Sequence, residues 1–377
     1  MALGRVGKCC RFLLLDPSKR VFCGVSQPGW IEGCIGAKRH LLSENVIRLQ
    51  EFQQRKLAVA HLRLRGKQLI SQKLQNAQLI LRDDLKLFLH LCHSADDMLM
   101  ARDAIYRYHK ENQNFAFREF KFGPLFVRQC YELGLEELAA ATLTDEKMRG
   151  FFNDSTSFNI TIDMLFTKGL YEKALEVLRT MKIQGVTFNM DTVTLAAGTC
   201  YKLNTPTSYE ICSSVIEDKQ SKGFLISKQA YCFLVALAIR QNDIKKAKSL
   251  YSQLRSFDYK LSQNLMVLIL AMTGAVEDAV SILSAAVLPN RPTFVKTPKF
   301  SEHVLDVLRS CSNDGPHMME VEQVVANLKQ ADQVTSQTLD DMLCHTPKGK
   351  SKQVVVVQAR KTSRRTLKPL NTILVSE

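Results

Sequence analysis

The stretch STSFNITIDMLFTKGLYEKALEVLRTMKIQGVTFN, residues 155 to 189, places its apolar positions at helical spacing. Phe158, Ile162, Leu165 and Phe166 fall at i, i+4, i+7 and i+8, which gives one helix with a single buried stripe. Asp154 and Ser155 can cap its start, and Lys168-Gly169 ends it. A second helix carries Tyr171, Ala174, Leu175, Leu178 and Met181 on its inward side, and Gly185 supplies the left-handed residue that commonly follows a helix C-terminus. Ala174 is small where the two helices approach most closely.

The same design recurs along the chain. A shift of 35 residues toward the N-terminus brings Gly169 onto Gly134, Ala174 onto Ala139 and Gly185 onto Gly150. A shift of 73 the other way reaches Tyr231, Asn242, Ala247 and Leu254, so the copy between them, roughly 190 to 227, carries a small insertion. Asn264, Gly274 and Ala279 continue the series, and DDLKLFLHLCHSADDMLMARDAIYRYHKEN, from Asp83, is a weaker upstream copy. Helical hairpins of this period cannot each bury their apolar faces alone, so neighbours must stack. The expected fold is all-α, an α-solenoid of helix-turn-helix repeats with a basic N-terminal segment and a basic C-terminal tail. Five to six repeats fill 83–290, preceded by a basic helical lead-in at 41–82 and followed by C-terminal helices at 291–345 and a basic tail at 346–377.

Charge refines this layout. The formal net charge is +14, but residues 1–80 hold 14 Lys and Arg against 4 acids and residues 346–377 hold 8 against 1, leaving 81–345 near neutral with 29 against 32. The basic pI therefore belongs to the two ends and says little about what the repeats bind. Within residues 1–40, Arg5, Lys8 and Arg11 fall opposite Val6, Cys10, Leu13 and Leu14 on a helical wheel, as an amphipathic mitochondrial presequence requires; a disordered basic terminus is the alternative. No apolar run reaches the roughly 18 residues of a membrane span. Eleven cysteines without C-x-x-C spacing point to a reducing compartment.

The stretch at 155–189 resembles a pentatricopeptide repeat in Phe158, Asn159, Asp163, Gly169, Ala174, Leu175, Met181, Lys182 and Gly185. The Trp and Leu-Gly of the peptide-binding tetratricopeptide repeats are missing. KFGPLFVRQCYELGLEE, RGFFNDSTSFNITIDMLF, LDDMLCHTPK and SRRTLKPL are similar to animal mitochondrial members of the pentatricopeptide repeat family. That resemblance implies a matrix protein that binds single-stranded mitochondrial RNA, takes part in transcript maturation and supports the respiratory chain. In the family, the fifth and last residues of a repeat jointly select a base; here these are Asn159 and Asn189, a pair that implies a pyrimidine. The same register gives Thr194 with Ser227, Asn264, and the poorer readers Pro124 and Cys232. An amide offers both donor and acceptor to a base edge, although Asn near a helix start also serves as a cap. Few repeats at one base each specify a site weakly, so the basic ends can add phosphate contacts. The candidates are Arg48, Arg55, Lys56, Arg63, Arg65 and Lys67 before the repeats, and Arg360, Lys361, Arg364 and Arg365 after them.

Nothing in the sequence recommends catalysis, a metal or a cofactor. Asp83-Asp84 and Asp96-Asp97 precede apolar helical runs, where acids favour the positive helix end, and Asp340-Asp341 stands before Met342-Leu343. His90, Cys92 and His93 form the one compact metal-like group, without a second half-site. The expectation is a non-catalytic RNA-binding solenoid that works beside processing enzymes. A scaffold docked to the mitochondrial ribosome and an RNA endonuclease are the alternatives.

Overall fold

The same local devices build each helical hairpin. In the clearest copy the Asp154 carboxylate accepts the Ser157 backbone N–H at 2.8 Å, satisfying one orphan donor of the first turn. The helix stops where Gly169 turns left-handed at φ 81°, a conformation that costs glycine nothing. The equivalent turns use Gly134, Gly274 and, less comfortably, Asn204 and Asn242, all at positive φ. Ala139, Ala174, Ala247 and Ala279 lie fully buried where paired helices meet.

The computed structural model describes residues 40–112, 120–254, 260–287, 298–313 and 315–346. A lead-in of α1 (Glu44–Ile47), α2 (Leu49–Val59) and α3 (Arg63–Gln75) precedes the repeats. Helix pairs follow: α4 (Arg82–Leu91) with α5 (Ala95–Glu111), α6 (Gly123–Leu133) with α7 (Glu136–Thr144), α8 (Ser155–Lys168) with α9 (Tyr171–Ile183), and α10 (Met190–Leu203) with α11 (Pro206–Ser221). Beyond them lie α12 (Lys228–Arg240) with α13 (Ile244–Tyr251), α14 (Lys260–Thr273) with α15 (Val276–Val287), α16 (Glu302–Ser312) with α17 (Met318–Gln330), and last α18 (Leu339–Leu343).

The first helices α4, α6, α8, α10, α12, α14 and α16 pack each on the next, and from α7 onward each second helix also touches the first helix that follows it. The pairs therefore stack in series, with one continuous apolar core running from Leu41 to Cys344. The stack gains a pair, α16 with α17, beyond the repeat region expected at 83–290. The fold is all-α as expected, with one short strand pair at its C-terminal end. Phe300–Ser301 (β1) pairs in parallel with Val334–Thr335 (β2), because the backbone entering α16 meets the segment leaving α17, with Phe300 N–H donating to the Gln333 carbonyl at 2.8 Å.

Among the described residues no helix is long and apolar enough to cross a membrane. The expected presequence, apart from residue 40, and the basic tail beyond residue 346 lie outside the described residues.

Candidate nucleic-acid interface

The positions singled out as base readers lie at the junctions between successive pairs. Asn189 is the N-cap of α10, its side chain accepting the Thr192 N–H at 2.8 Å. The Asn159 amide donates to Asn189 Oδ1 at 3.1 Å and accepts from Thr192 Oγ1 at 2.7 Å. One junction later the hydroxyls of Thr194 and Ser227 lie 2.6 Å apart, and Ser227 caps α12. Asn264 accepts the Ser301 N–H at 2.7 Å and donates to the Lys299 carbonyl at 3.0 Å, holding the entry to α16. At the α6 to α8 junction Pro124 holds the corresponding register position, and its neighbour Gly123 lies so close to the start of α8 that a Cβ there would clash with Ser157 Oγ.

Asn159 and Asn264 have no exposed surface and Thr194 is buried, whereas Asn189 is exposed. Asn159, Thr194 and Asn264, expected as base contacts, are therefore not open to solvent. The start of the next first helix covers these side chains and takes up their hydrogen bonds. A buried amide without partners is costly, so these pairings also lock the register of one repeat on the next.

Asp163, one turn beyond Asn159 on α8, is buried by a segment far away in sequence. Its Oδ1 accepts the backbone N–H groups of Leu41 at 2.7 Å and Leu42 at 3.2 Å, and its Oδ2 meets His40 Nδ1 at 2.8 Å. The hydrogen bond to Asp163 holds the His40 imidazole above its ordinary pKa, against the opposing effect of burial. Tyr131 Oη stands 3.2 Å from His40 Nε2. Leu41 and Leu42 are buried, and Leu41 reaches α10 so closely that a Cβ at Gly198 would come within 2.6 Å of it.

The other chain end covers the row farther along. Asp340 of α18 pairs with Lys202 of α10 and with Arg240 of α12, and the Arg240 guanidinium lies 4.1 Å from the Tyr201 ring centroid. Gln229 donates to the carbonyls of Leu343 and His345 at 2.8 and 3.0 Å. Thr346 Oγ1 donates to the His40 carbonyl at 2.7 Å, so the two covering segments touch each other. A strap at 40–42 and a clasp at 339–346 thus lie on the first helices from α6 to α12.

The candidate phosphate contacts divide. Arg63 and Arg65 are exposed on α3. Lys67 is committed to the buried Asp97 at 2.5 Å, Lys56 is itself buried against Glu132 at 2.8 Å, and Arg55 pairs with Glu51 at 3.7 Å. Arg360, Lys361, Arg364 and Arg365 lie outside the described residues.

The remaining candidate chemistry is absorbed by structure. His90 hydrogen-bonds the Lys86 carbonyl at 2.8 Å and stacks on Phe52, and burial lowers its pKa. Burial pushes the Cys92 thiol up to about 12, so it is no ready nucleophile or ligand. Asp84 pairs with Lys73, Asp97 binds Lys67, and Asp341 forms a capping box with Thr338. Among the described residues no three His, Cys, Asp or Glu side chains converge as a metal site.

A family model described as mitochondrial 28S ribosomal protein S27, MRP-S27, matches residues 19–353. A zebrafish (Danio rerio) protein named pentatricopeptide repeat-containing protein 2, mitochondrial, is 47% identical over 381 residues, covering 100% of both chains. The human (Homo sapiens) protein of that name is 44% identical over 374 residues, covering 97% of this chain and 96% of its own. The chain belongs to the family of pentatricopeptide repeat-containing protein 2. The Xenopus laevis member is 43% identical over 348 residues, covering 90% of this chain and 91% of its own. The crystal structure of the pentatricopeptide repeat protein PPR10 from maize is similar at a TM-score of 0.37 and 16% identity, over 73% of this chain and 39% of that one. The repeat architecture of this family member rests on its own helix packing.

Proposed function

We propose that this chain is a mitochondrial matrix protein that binds single-stranded RNA and assists the maturation or stabilisation of transcripts, holding the RNA without cutting it and so supporting the respiratory chain. The observation that carries this reading is the serial stack of helical pairs in a member of a pentatricopeptide repeat family. Unpaired RNA offers base edges and planar faces, and a regular stack can meet them one nucleotide at a time. In this reading Asn189 supplies base contact at its exposed cap, held in place by Asn159, while Thr194 and Asn264 act through the caps they steady. Arg63 and Arg65 contact phosphates, joined by Arg360, Lys361, Arg364 and Arg365 of the tail. RNA-processing enzymes act beside it. The test is fluorescence anisotropy with short single-stranded RNA across a salt series, alongside incubation with precursor RNA and Mg²⁺. Salt-dependent binding without cleavage is the expected result; cleavage at a defined site would overturn the non-catalytic reading.

A second reading, a protein scaffold on the mitochondrial ribosome, draws support from the MRP-S27 model over residues 19–353 and from the chain's own segments lying on the first helices. No RNA binding at low salt, together with co-sedimentation with the small ribosomal subunit, would favour it.

A further inference from the structure

The strap and the clasp cover the middle of the row of first helices, from α6 to α12, which turns attention to the other faces of the stack. The C-terminal ends of the second helices provide one. Between the last turns of α9 and α11 lies an open cavity of about 330 Å³ whose lining includes Lys182, Phe188, Lys219 and Lys222. A volume of this size is on the scale of small-ligand sites.

Its two walls leave their helices in the same way. Val186 N–H bonds to the Met181 carbonyl and Phe224 N–H to the Lys219 carbonyl, each after a glycine, Gly185 or Gly223, at φ 71°. Cations and rings interleave across the gap. Lys219 Nζ lies 6.0 Å from the Phe188 ring centroid and 4.7 Å from that of Phe224, which is more than half exposed beside the exposed Leu225. Asp218 is the one acid in the lining, and it is taken by Lys222 at 2.7 Å. Lys182 and Lys219 are therefore left as net positive charge beside aromatic faces. This combination suits single-stranded nucleic acid, whose phosphates seek ammonium groups and whose bases stack on rings without regard to sequence.

We propose that the cavity between the ends of α9 and α11 is a sequence-tolerant binding site for a nucleotide unit of single-stranded RNA, with Lys182 and Lys219 meeting phosphate and the Phe188 and Phe224 rings meeting the base. The proposal rests on the RNA-binding reading and gives it a surface. The strand runs past the turn that leads from Gly185 through Phe188 to the exposed Asn189. Lysines in a last helical turn also complement the helix dipole, a role that places no phosphate on them.

The deciding experiment measures anisotropy of a fluorescein-labelled 12-nucleotide oligouridylate with the full chain over a salt series. The double substitution Lys182→Ala with Lys219→Ala is expected to weaken binding about tenfold at low salt and to flatten the slope of log K against log salt by roughly 0.7 per lysine. Phe224→Ala, on an exposed ring, is expected to weaken binding about fivefold with the slope unchanged, as lost stacking requires. Thermal unfolding midpoints matching the wild type confirm that each variant is folded. Binding by the wild type with affinity and slope unchanged in all these variants would overturn the site and leave the RNA reading standing. Absence of wild-type binding at the lowest salt would overturn both.

Discussion

The two rows of helices bury their side chains differently. In α9, a second helix, burial picks out Ala174, Val177, Leu178 and Met181, with charged residues such as Glu176 outward. In α8, its partner, every residue from Ser157 to Phe166 is buried, including Asn159, Thr161 and Asp163. An amphipathic helix has one face to cover, whereas a first helix of this stack is covered by its own partner, by the flanking first helices and by distant segments of the chain. Polar residues on the outer face of α9 are solvated, but those buried in α8 are costly unless they find a partner in the protein. Those in α8 are each satisfied within the protein: an amide by a cap, a threonine by its own helix, an aspartate by two backbone N–H groups and an imidazole.

Substitutions on the two rows should separate by size. The largest effect is expected from Asp163→Ala, which strands the Leu41 and Leu42 amides and His40; a loss of about 3 kcal/mol in denaturant unfolding is expected. Asn159→Ala removes the peg of a single junction and should cost about 2 kcal/mol, with the α8 to α10 junction losing hydrogen-exchange protection first. A smaller, pH-dependent effect belongs to His40. Because the folded protein raises its pKa, the charged contact with Asp163 is fully present below the ordinary value near 6.5 and is lost as pH rises through the raised value. The stability gap between wild type and His40→Ala should therefore narrow on going from acidic to alkaline pH; a gap that widens would reverse the assignment. Glu176→Ala, on the exposed face of α9, should stay within about 0.5 kcal/mol. Were Glu176→Ala to cost as much as Asn159→Ala, the contrast between the rows would be broken.

Much of the repeat was legible because its signals are local. Gly134, Gly169 and Gly274 mark the turns by type, and the period leads to Asn242, which takes the same left-handed backbone. Asn204 does likewise but escapes notice, since its copy carries the insertion and has no glycine at the turn. The small alanines and the Asp154 cap were readable for the same reason. Asn159 read as a base contact but is buried, because what covers it is decided by packing between helices. The strap was the least legible feature: Asp163 and its partners are separated by more than 120 positions, and the His40-Leu41-Leu42 sequence has no periodicity to announce a docking segment. Lys56 and Lys67 read as free phosphate contacts for a similar reason, their carboxylate partners being distant in sequence.

The central claim is that the chain covers the middle of its own row of first helices, and backbone amide hydrogen exchange at Leu41 and Leu42 tests it most directly. With the strap seated on Asp163, these amides should exchange as slowly as those in the middle of α8, and Asp163→Ala should release them by orders of magnitude while the α12 to α14 core stays protected. Rapid exchange at both amides in the wild-type chain, matching that of unstructured peptide, would contradict the account and reopen that face to ligands.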